Sequence, residues 1–168
     1  MYPITLGYEE AKNRINSLMQ HGHHAEALVT SVFTTEKMLR RTLRKIIVSA
    51  GFTSKVAEKL IGKINGLEAI KIYWEFYEPS GKTLIKVIGE REWSQIKQSA
   101  EMRNKLVHGV RVYEQSRCQE KTEKLLSTLD IVKQKLDETY GYSGWERFTI
   151  RKRNKLHIDP KVKIEENK

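Results

Sequence analysis

The sequence predicts an all-α fold, an antiparallel bundle of about five helices. Its three prolines, Pro3, Pro79 and Pro160, leave two long intervals without the residue that most strongly stops helices. In both intervals apolar residues recur at three- and four-residue spacing, which is the period of an amphipathic helix. With 168 residues and a hydrophobic content of 39%, the chain can bury one core, so we expect a single compact unit.

The first two predicted helices are apolar stripes that each end at a glycine. The first runs from Tyr8 to a histidine-rich turn at Gly22. The second is long and extends from Leu28 to Gly51, and its other faces are basic: Lys37, Arg40, Arg41, Arg44 and Lys45. These cations have two interpretations, a phosphate-binding face or the solvated side of an amphipathic helix.

Caps and helix breakers divide the middle of the chain. Thr53 and Ser54 can cap a third helix, which the pair Asn-Gly at 65–66 ends or kinks. The helical period continues over 67–77. The apolar run TLIKVIG, 83–89, fits a strand or a buried turn of helix, and the sequence does not decide between the two.

The second half of the chain predicts two more helices and then changes in character. One helix starts near Glu92, and a last long helix follows Gly109 and is closed by Gly141. Apolar residues then alternate around a basic RKRNK centre over 148–158, which is typical of a small β-hairpin. Past Pro160 the charged segment KVKIEENK predicts a disordered tail.

The composition of the chain predicts its division into parts and the kind of partner that it binds. We divide the chain into a helical bundle, 1–142, and a basic C-terminal appendage, 143–168. Because 31 Lys and Arg face 21 Asp and Glu, the formal net charge is +10. This charge suits a polyanion such as RNA, although a basic surface also serves solubility alone.

The sequence also predicts the cellular location of the protein. No apolar run approaches the roughly 20 residues that span a bilayer, and the start of the chain lacks the layout of a secretory signal. We therefore predict a cytoplasmic protein without membrane contact. Cys118 is the single cysteine, which excludes an intramolecular disulfide.

Two segments have the composition of ligand sites but not their pattern. The run PSGKT resembles the end of a phosphate-binding P-loop, yet Phe76 stands where that loop needs a glycine, five residues before Gly81. Three histidines share the turn after the first helix: His21, His23 and His24. Such imidazoles without a nearby carboxylate usually remain solvated. We predict no metal site and no cofactor.

The segment EMRNKLVHG, 101–109, places an arginine where a helix should bury apolar side chains. Arg103 falls between Ile96 and Val107 on the predicted stripe. A guanidinium cannot shed its charge, so its burial is costly unless an anion compensates it. We expect either a structural carboxylate, for which Glu101 is the candidate, or a bound phosphate.

Asn104 and His108 complete this candidate site. Asn104 lies at the edge of the same stripe. Arg103 and His108 would diverge on a regular helix, but Gly109 is a natural helix terminator and would let His108 turn towards the arginine on a frayed last turn. Histidine titrates near neutral pH and can act as a general base or acid.

These residues resemble the motif of HEPN domains, the higher eukaryote and prokaryote nucleotide-binding family. That motif is an arginine, four to six residues and a histidine, often with a polar residue directly after the arginine. Arg103, Asn104 and His108 fit it. The bare spacing also occurs at 14–21 and 151–157, but neither place has the polar residue or the late core helix of the family.

The resemblance implies a metal-independent endoribonuclease that acts as a homodimer, with two motifs facing each other across one cleft. Two copies of His108 would serve as base and acid, Arg103 would neutralise phosphoryl charge, and Asn104 would hold the phosphate or orient His108. The family also implies a toxin or antiviral defence effector, with an antitoxin or regulatory protein as a further partner. We expect the residues that bind RNA to include Lys105, Arg111, Arg151, Lys152 and Arg153.

Two other functions stay open. A HEPN-like module without catalytic activity would bind nucleic acid or a protein partner and would keep that binding when His108 is replaced. An antitoxin-like or scaffolding helical protein would carry its basic surface for solubility only. Weak RNA binding that does not respond to salt would favour this last class.

Overall fold

The structure, a computed structural model, describes residues 7–156, and every regular element in that range is a helix. None of these helices is long and apolar enough to cross a bilayer. The all-α prediction is confirmed for the described residues. In chain order the helices are α1 (Tyr8–Gln20), α2 (His24–Ser49), α3 (Ser54–Lys63), α4 (Gly66–Tyr77), α5 (Leu84–Ile88), α6 (Glu90–Val107) and α7 (Gln115–Tyr140).

The core is organised around α2 and α7, which have 26 residues each. α2 packs against α1, α3, α4, α6 and α7, while α7 also packs against α5 and α6. Large side chains from several helices, such as Trp74 of α4, Leu39 of α2 and Ile96 of α6, are almost completely buried in one cluster. The removal of this apolar surface from water holds the bundle together.

The described part of the chain has seven helices, where about five were predicted. Gly66 has a φ of +78°, which favours glycine and separates α3 from α4. The undecided run 83–89 forms the short helix α5. Thr83 caps it by accepting a hydrogen bond from Lys86 N at 3.2 Å. Leu84 and Ile88 are fully buried, so α5 contributes to the core.

The predicted β-hairpin is not observed in its described part. The residues after α7, which we call the C-terminal segment (142–156), contain no strand. Its backbone pairs instead with the start of α3: Ser54 N donates to Arg151 O at 2.9 Å, and Arg151 N donates to Ser54 Oγ at 2.7 Å. Because these groups are satisfied there, the segment needs no partner strand. The end of the hairpin and the predicted tail fall in 157–168, outside the described residues.

The C-terminal segment packs closely against α1 and α2. Residues 142–144 are buried, and the ring of Trp145 meets that of Tyr8 edge-on with 5.2 Å between centroids. The guanidinium of Arg44 lies 4.5 Å above the ring of Phe148, a cation–π contact. The described part of the basic appendage is therefore attached along the bundle.

Candidate functional site

The candidate motif lies at the end of α6, which stops where the sequence predicted. Gly109 has a φ of +66° and its N–H donates to Leu106 O at 3.2 Å, while Val110 N donates to Lys105 O at 2.9 Å. This pair of bonds is a Schellman motif, which closes a helix at a left-handed glycine. The position of His108, the last residue before the glycine, is thus set by α6.

Arg103 lies about one turn before this helix end and is largely buried. Its side chain is 21% exposed, and its Nη2 donates to Oε1 of Glu36 on α2 at 3.0 Å. Glu101, the counterion that the sequence suggested, is exposed and two residues away on the same helix. Side chains two residues apart on a helix do not face each other, so the carboxylate comes from α2 instead.

The ion pair uses only part of the guanidinium. Glu36 makes a single contact with Arg103, whereas an arginine offers five N–H donors in a planar fork. Nε of Arg103 is buried and donates to no described residue. The arginine therefore retains hydrogen-bonding capacity for a further acceptor.

Arg103 borders a groove of about 460 Å³ between α6 and the link from α3 to α4. Asn104 and Lys97 of α6 line the same groove. Lys97 Nζ lies 3.2 Å from Glu68, which also pairs with Lys71 at 2.6 Å. The hydrogen bond from Lys71, opposed by burial and assisted by Lys97, holds the pKa of Glu68 below its usual range. The groove thus combines polar walls with nearly balanced charge.

The structure does not bring Arg103 and His108 together within one chain. His108 N donates to Asn104 O at 3.0 Å, so the backbone stays helical up to this residue and does not fray as expected. Five residues on a helix separate two side chains by about 140° around the axis. Asn104 and His108 are both exposed, and neither side chain hydrogen-bonds Arg103 in the described structure.

Three apolar residues close to His108 in the sequence are exposed. Val107, Val110 and Val112 are 59%, 73% and 89% exposed. Three exposed valines in six residues leave apolar area in water that a partner surface would cover.

The predicted RNA-binding residues fall into two separate groups. Lys105 and Arg111 flank His108 and are exposed, and the Arg111 guanidinium lies 5.1 Å above the ring of Tyr113. Residues 151–153 instead lie beside the start of α3, near the end of α2. Since Arg103 contacts α2 at Glu36, this second group is displaced by roughly 20 Å along α2.

The segment that resembled a P-loop is folded around its own carboxylate. Glu78 is buried, and it accepts hydrogen bonds from Ser80 N and Lys82 N, each at 2.7 Å. Burial alone would raise the pKa of Glu78, but these bonds outweigh it and lower the pKa. The amides that would cradle a phosphate are therefore already occupied.

The basic face of α2 is used for contacts within the chain. Arg40 donates to Ile61 O at 3.1 Å and Arg41 to Glu146 O at 3.3 Å, while Arg44 covers an aromatic ring of the C-terminal segment. These arginines attach α3 and the C-terminal segment to α2. Among the residues 7–156, no three His, Cys, Asp or Glu are grouped as a metal site.

Glu36 is the functional candidate that the sequence analysis missed, although a signal for it was present. Val32, Leu39 and Leu43 lie four before, three after and seven after Glu36, and all three are buried. Glu36 therefore interrupts the apolar stripe of α2 as Arg103 interrupts that of α6. A charge on a buried stripe indicates that a partner is needed, and the structure shows that these two charges pair with each other.

Comparison of the chain with protein-family models, curated proteins and solved structures finds no match.

Proposed function

We propose that the chain is a metal-independent endoribonuclease of HEPN type that cleaves RNA with Arg103, Asn104 and His108. The observation that supports it most directly is the unsaturated Arg103, held by one contact to Glu36 beside an open groove and one turn before a helix end that exposes His108. A guanidinium in this state suits a phosphate, which accepts paired hydrogen bonds.

The chemistry uses the RNA's own 2′-hydroxyl as the nucleophile. One His108 removes the proton of this hydroxyl, the oxygen attacks the adjacent phosphorus, and a second His108 protonates the departing 5′-oxygen. The products are a 2′,3′-cyclic phosphate and a 5′-hydroxyl. Arg103 stabilises charge on the phosphoryl oxygens, while Asn104 holds the phosphate or orients the histidine.

Two copies of the chain supply this site. One motif provides a single histidine, so base and acid must come from two motifs. A two-fold dimer brings the same surface of each copy together. The exposed valines Val107, Val110 and Val112 offer the apolar contact that such an interface needs.

Cleavage of a cellular RNA sample by purified protein tests the proposal. We expect cutting to continue with EDTA present and to leave 2′,3′-cyclic ends. His108→Ala should lower turnover by at least about 100-fold, because it removes proton transfer. The matched control is His23→Ala, which replaces an exposed histidine outside the motif and should cut normally. Chelator-sensitive cleavage, or a folded His108→Ala protein as fast as the wild type, would contradict the mechanism.

The composite site is tested separately by the oligomeric state. Val110→Asp places a charge on the proposed interface and should halve the mass in light scattering and abolish cleavage together. Phe76→Asp is the control, because Phe76 is 69% exposed, close to the 73% of Val110, but lies near the end of α4. A monomeric wild type whose specific activity does not fall on dilution rules out two-chain catalysis.

The biological role we propose is a toxin or antiviral defence effector in the cytoplasm, controlled by an antitoxin or other regulatory protein. Uncontrolled cleavage of cellular RNA arrests growth, so expression of the wild type should stop growth and expression of His108→Ala should not. Equal growth with both proteins would remove this role.

A second candidate is a HEPN-like binding module without catalysis. The ion pair between Arg103 and Glu36 favours it, since an arginine that already has a counterion can serve a structural purpose. In this case the wild type leaves RNA intact, and His108→Ala keeps the wild-type affinity for its partner.

A further inference from the structure

Helix α3 carries a row of lysines that the motif does not explain. Lys55, Lys59 and Lys63 are all exposed and follow one another at four-residue intervals. Each interval advances about 6 Å along the axis and about 40° around it, so the three side chains form a slanting line. We call this line the lysine row. None of the three forms an ion pair with a described residue.

The single carboxylate of α3 does not balance the lysine row. Glu58 lies 3.5 Å from Arg44 of α2, and Arg40 of α2 donates to Ile61 O at 3.1 Å. Two arginines of α2 thus hold α3 in place and compensate its one acidic residue. The lysines remain in the solvent on a helix whose position is fixed.

The N-terminal end of the lysine row lies next to the C-terminal segment. Ser54, just before Lys55, exchanges two hydrogen bonds with the backbone of Arg151. These bonds place Lys152 and Arg153, both exposed, next to the start of the row. The row therefore continues into the basic part of the segment.

The other end of the lysine row leads to the groove at Arg103. Lys63 is the last residue of α3, and Asn65 and Gly66, which follow after Ile64, line that groove together with Arg103 and Asn104. One short helix thus joins the groove to the distant basic segment.

We propose that the lysine row binds the phosphate backbone of a single-stranded RNA and guides it from the groove at Arg103 to the C-terminal segment. The inference rests on the proposed function, because this strand is its substrate. Single cations spaced along one line match the backbone of one strand, which proteins commonly follow with a basic groove. The substrate class is unpaired RNA long enough to reach beyond the motif.

The test measures RNA binding without cleavage, in the His108→Ala background. The probe is a single-stranded oligouridylate of about 12 nucleotides, within the range bound by known single-strand proteins. The variant carries Lys55→Gln, Lys59→Gln and Lys63→Gln. The control changes the net charge equally with Lys82→Gln, Lys86→Gln and Lys124→Gln, three exposed lysines outside α3. Melting temperatures verify that both proteins fold.

The lysine-row variant should bind about tenfold more weakly, and the slope of log affinity against log salt should flatten by about 2, since each single-strand phosphate contact contributes about 0.7. The control should change affinity less than about twofold. Equal losses in both variants, an unchanged slope, or an equal loss with a duplex probe would overturn the inference. A wild type that never cuts RNA but shows the slope change would remove the proposed nuclease and leave the lysine row as a binding surface.

Discussion

The end of α6 and the C-terminal segment differ in a way that their secondary structure does not suggest. The end of α6 is regular and closed by a Schellman motif, yet every residue from 107 to 112 is exposed. The C-terminal segment has no helix or strand, yet 142–144 are buried and its backbone bonds to the start of α3. The regularity of the backbone therefore does not show which surface remains available to a partner.

The groove at Arg103 and the surface formed by α3 and the C-terminal segment differ in how their charges are compensated. At the groove, Arg103 faces Glu36 and Lys97 faces Glu68. Along α3 and the C-terminal segment the exposed cations of the lysine row and Lys152 have no such carboxylates. Balanced charge favours selective chemistry at one place, and unbalanced charge favours salt-sensitive affinity at the other.

The largest expected effect on the free energy of unfolding comes from replacing a glycine of the C-terminal segment. Gly144 has a φ of +89°, and a Cβ there would lie 2.7 Å from the carbonyl oxygen of Met38. Gly144→Ala should destabilise the protein by about 3 kcal/mol, the sum of left-handed strain and a backbone clash. Chemical denaturation measures this free energy of unfolding.

The matched change at the motif is Gly109→Ala. Gly109 has a φ of +66°, but a Cβ there would meet nothing within 4 Å. Only the left-handed strain applies, so we expect a loss of about 1 kcal/mol. Equal effects of the two substitutions would mean that the C-terminal segment is not packed against α2 as described.

The next largest effect on stability concerns two ion pairs, Arg103 with Glu36 beside the groove and Arg44 with Glu58 on α3. Glu36 is 19% exposed and holds the largely buried Arg103, whereas Glu58 is 70% exposed and lies 3.5 Å from Arg44. Glu36→Gln should cost about 1 to 2 kcal/mol, because it leaves a poorly solvated cation without its counterion. Glu58→Gln should cost less than about 0.5 kcal/mol.

Glu36→Gln also separates a structural ion pair from a substrate site. Removal of the competing carboxylate frees Arg103, so RNA binding should tighten if phosphate is the natural ligand of this arginine. Binding that weakens along with stability would instead assign the pair a purely structural role. Glu58→Gln is the control for the change in net charge.

Local signals in the sequence identified several of the helix ends. Thr53 caps α3 by accepting from Val56 N at 3.2 Å, and Gly109 and Gly141 follow the ends of α6 and α7. Such signals act within a few residues, so they can be found without knowledge of the fold. The segment 83–89 stayed undecided because a short apolar run satisfies both helical and strand periods.

Long-range pairings were beyond the same reasoning. The hairpin prediction assumed that the segment pairs with itself, but Arg151 pairs with Ser54, 97 residues earlier. The counterion of Arg103 was sought on α6 and lies on α2 at Glu36, 67 residues away. The sequence pattern of one element indicates that a residue needs a partner. The partner itself is identified only by the packing of two elements.

The smallest expected effect depends on pH and lies at the junction of α7 and the C-terminal segment. Lys133 donates to Asp137 at 2.6 Å. Burial tends to raise the pKa of Asp137, but the hydrogen bond and the charge of Lys133 outweigh it and lower the pKa below its ordinary 3.8. A group with a lowered pKa stabilises the fold above its unfolded pKa, and this contribution is lost as the pH falls through the folded pKa.

Asp137→Asn should therefore cost less than about 1 kcal/mol at pH 7, because the pair is partly solvated, and the difference from the wild type should vanish near pH 2. Urea denaturation at both pH values measures it. Glu101→Gln is the comparison at the motif, where the carboxylate is exposed and forms no ion pair with a described residue, so it should change little at either pH. A difference for Asp137→Asn that persists in acid would show that the charge of the carboxylate does not supply this stability.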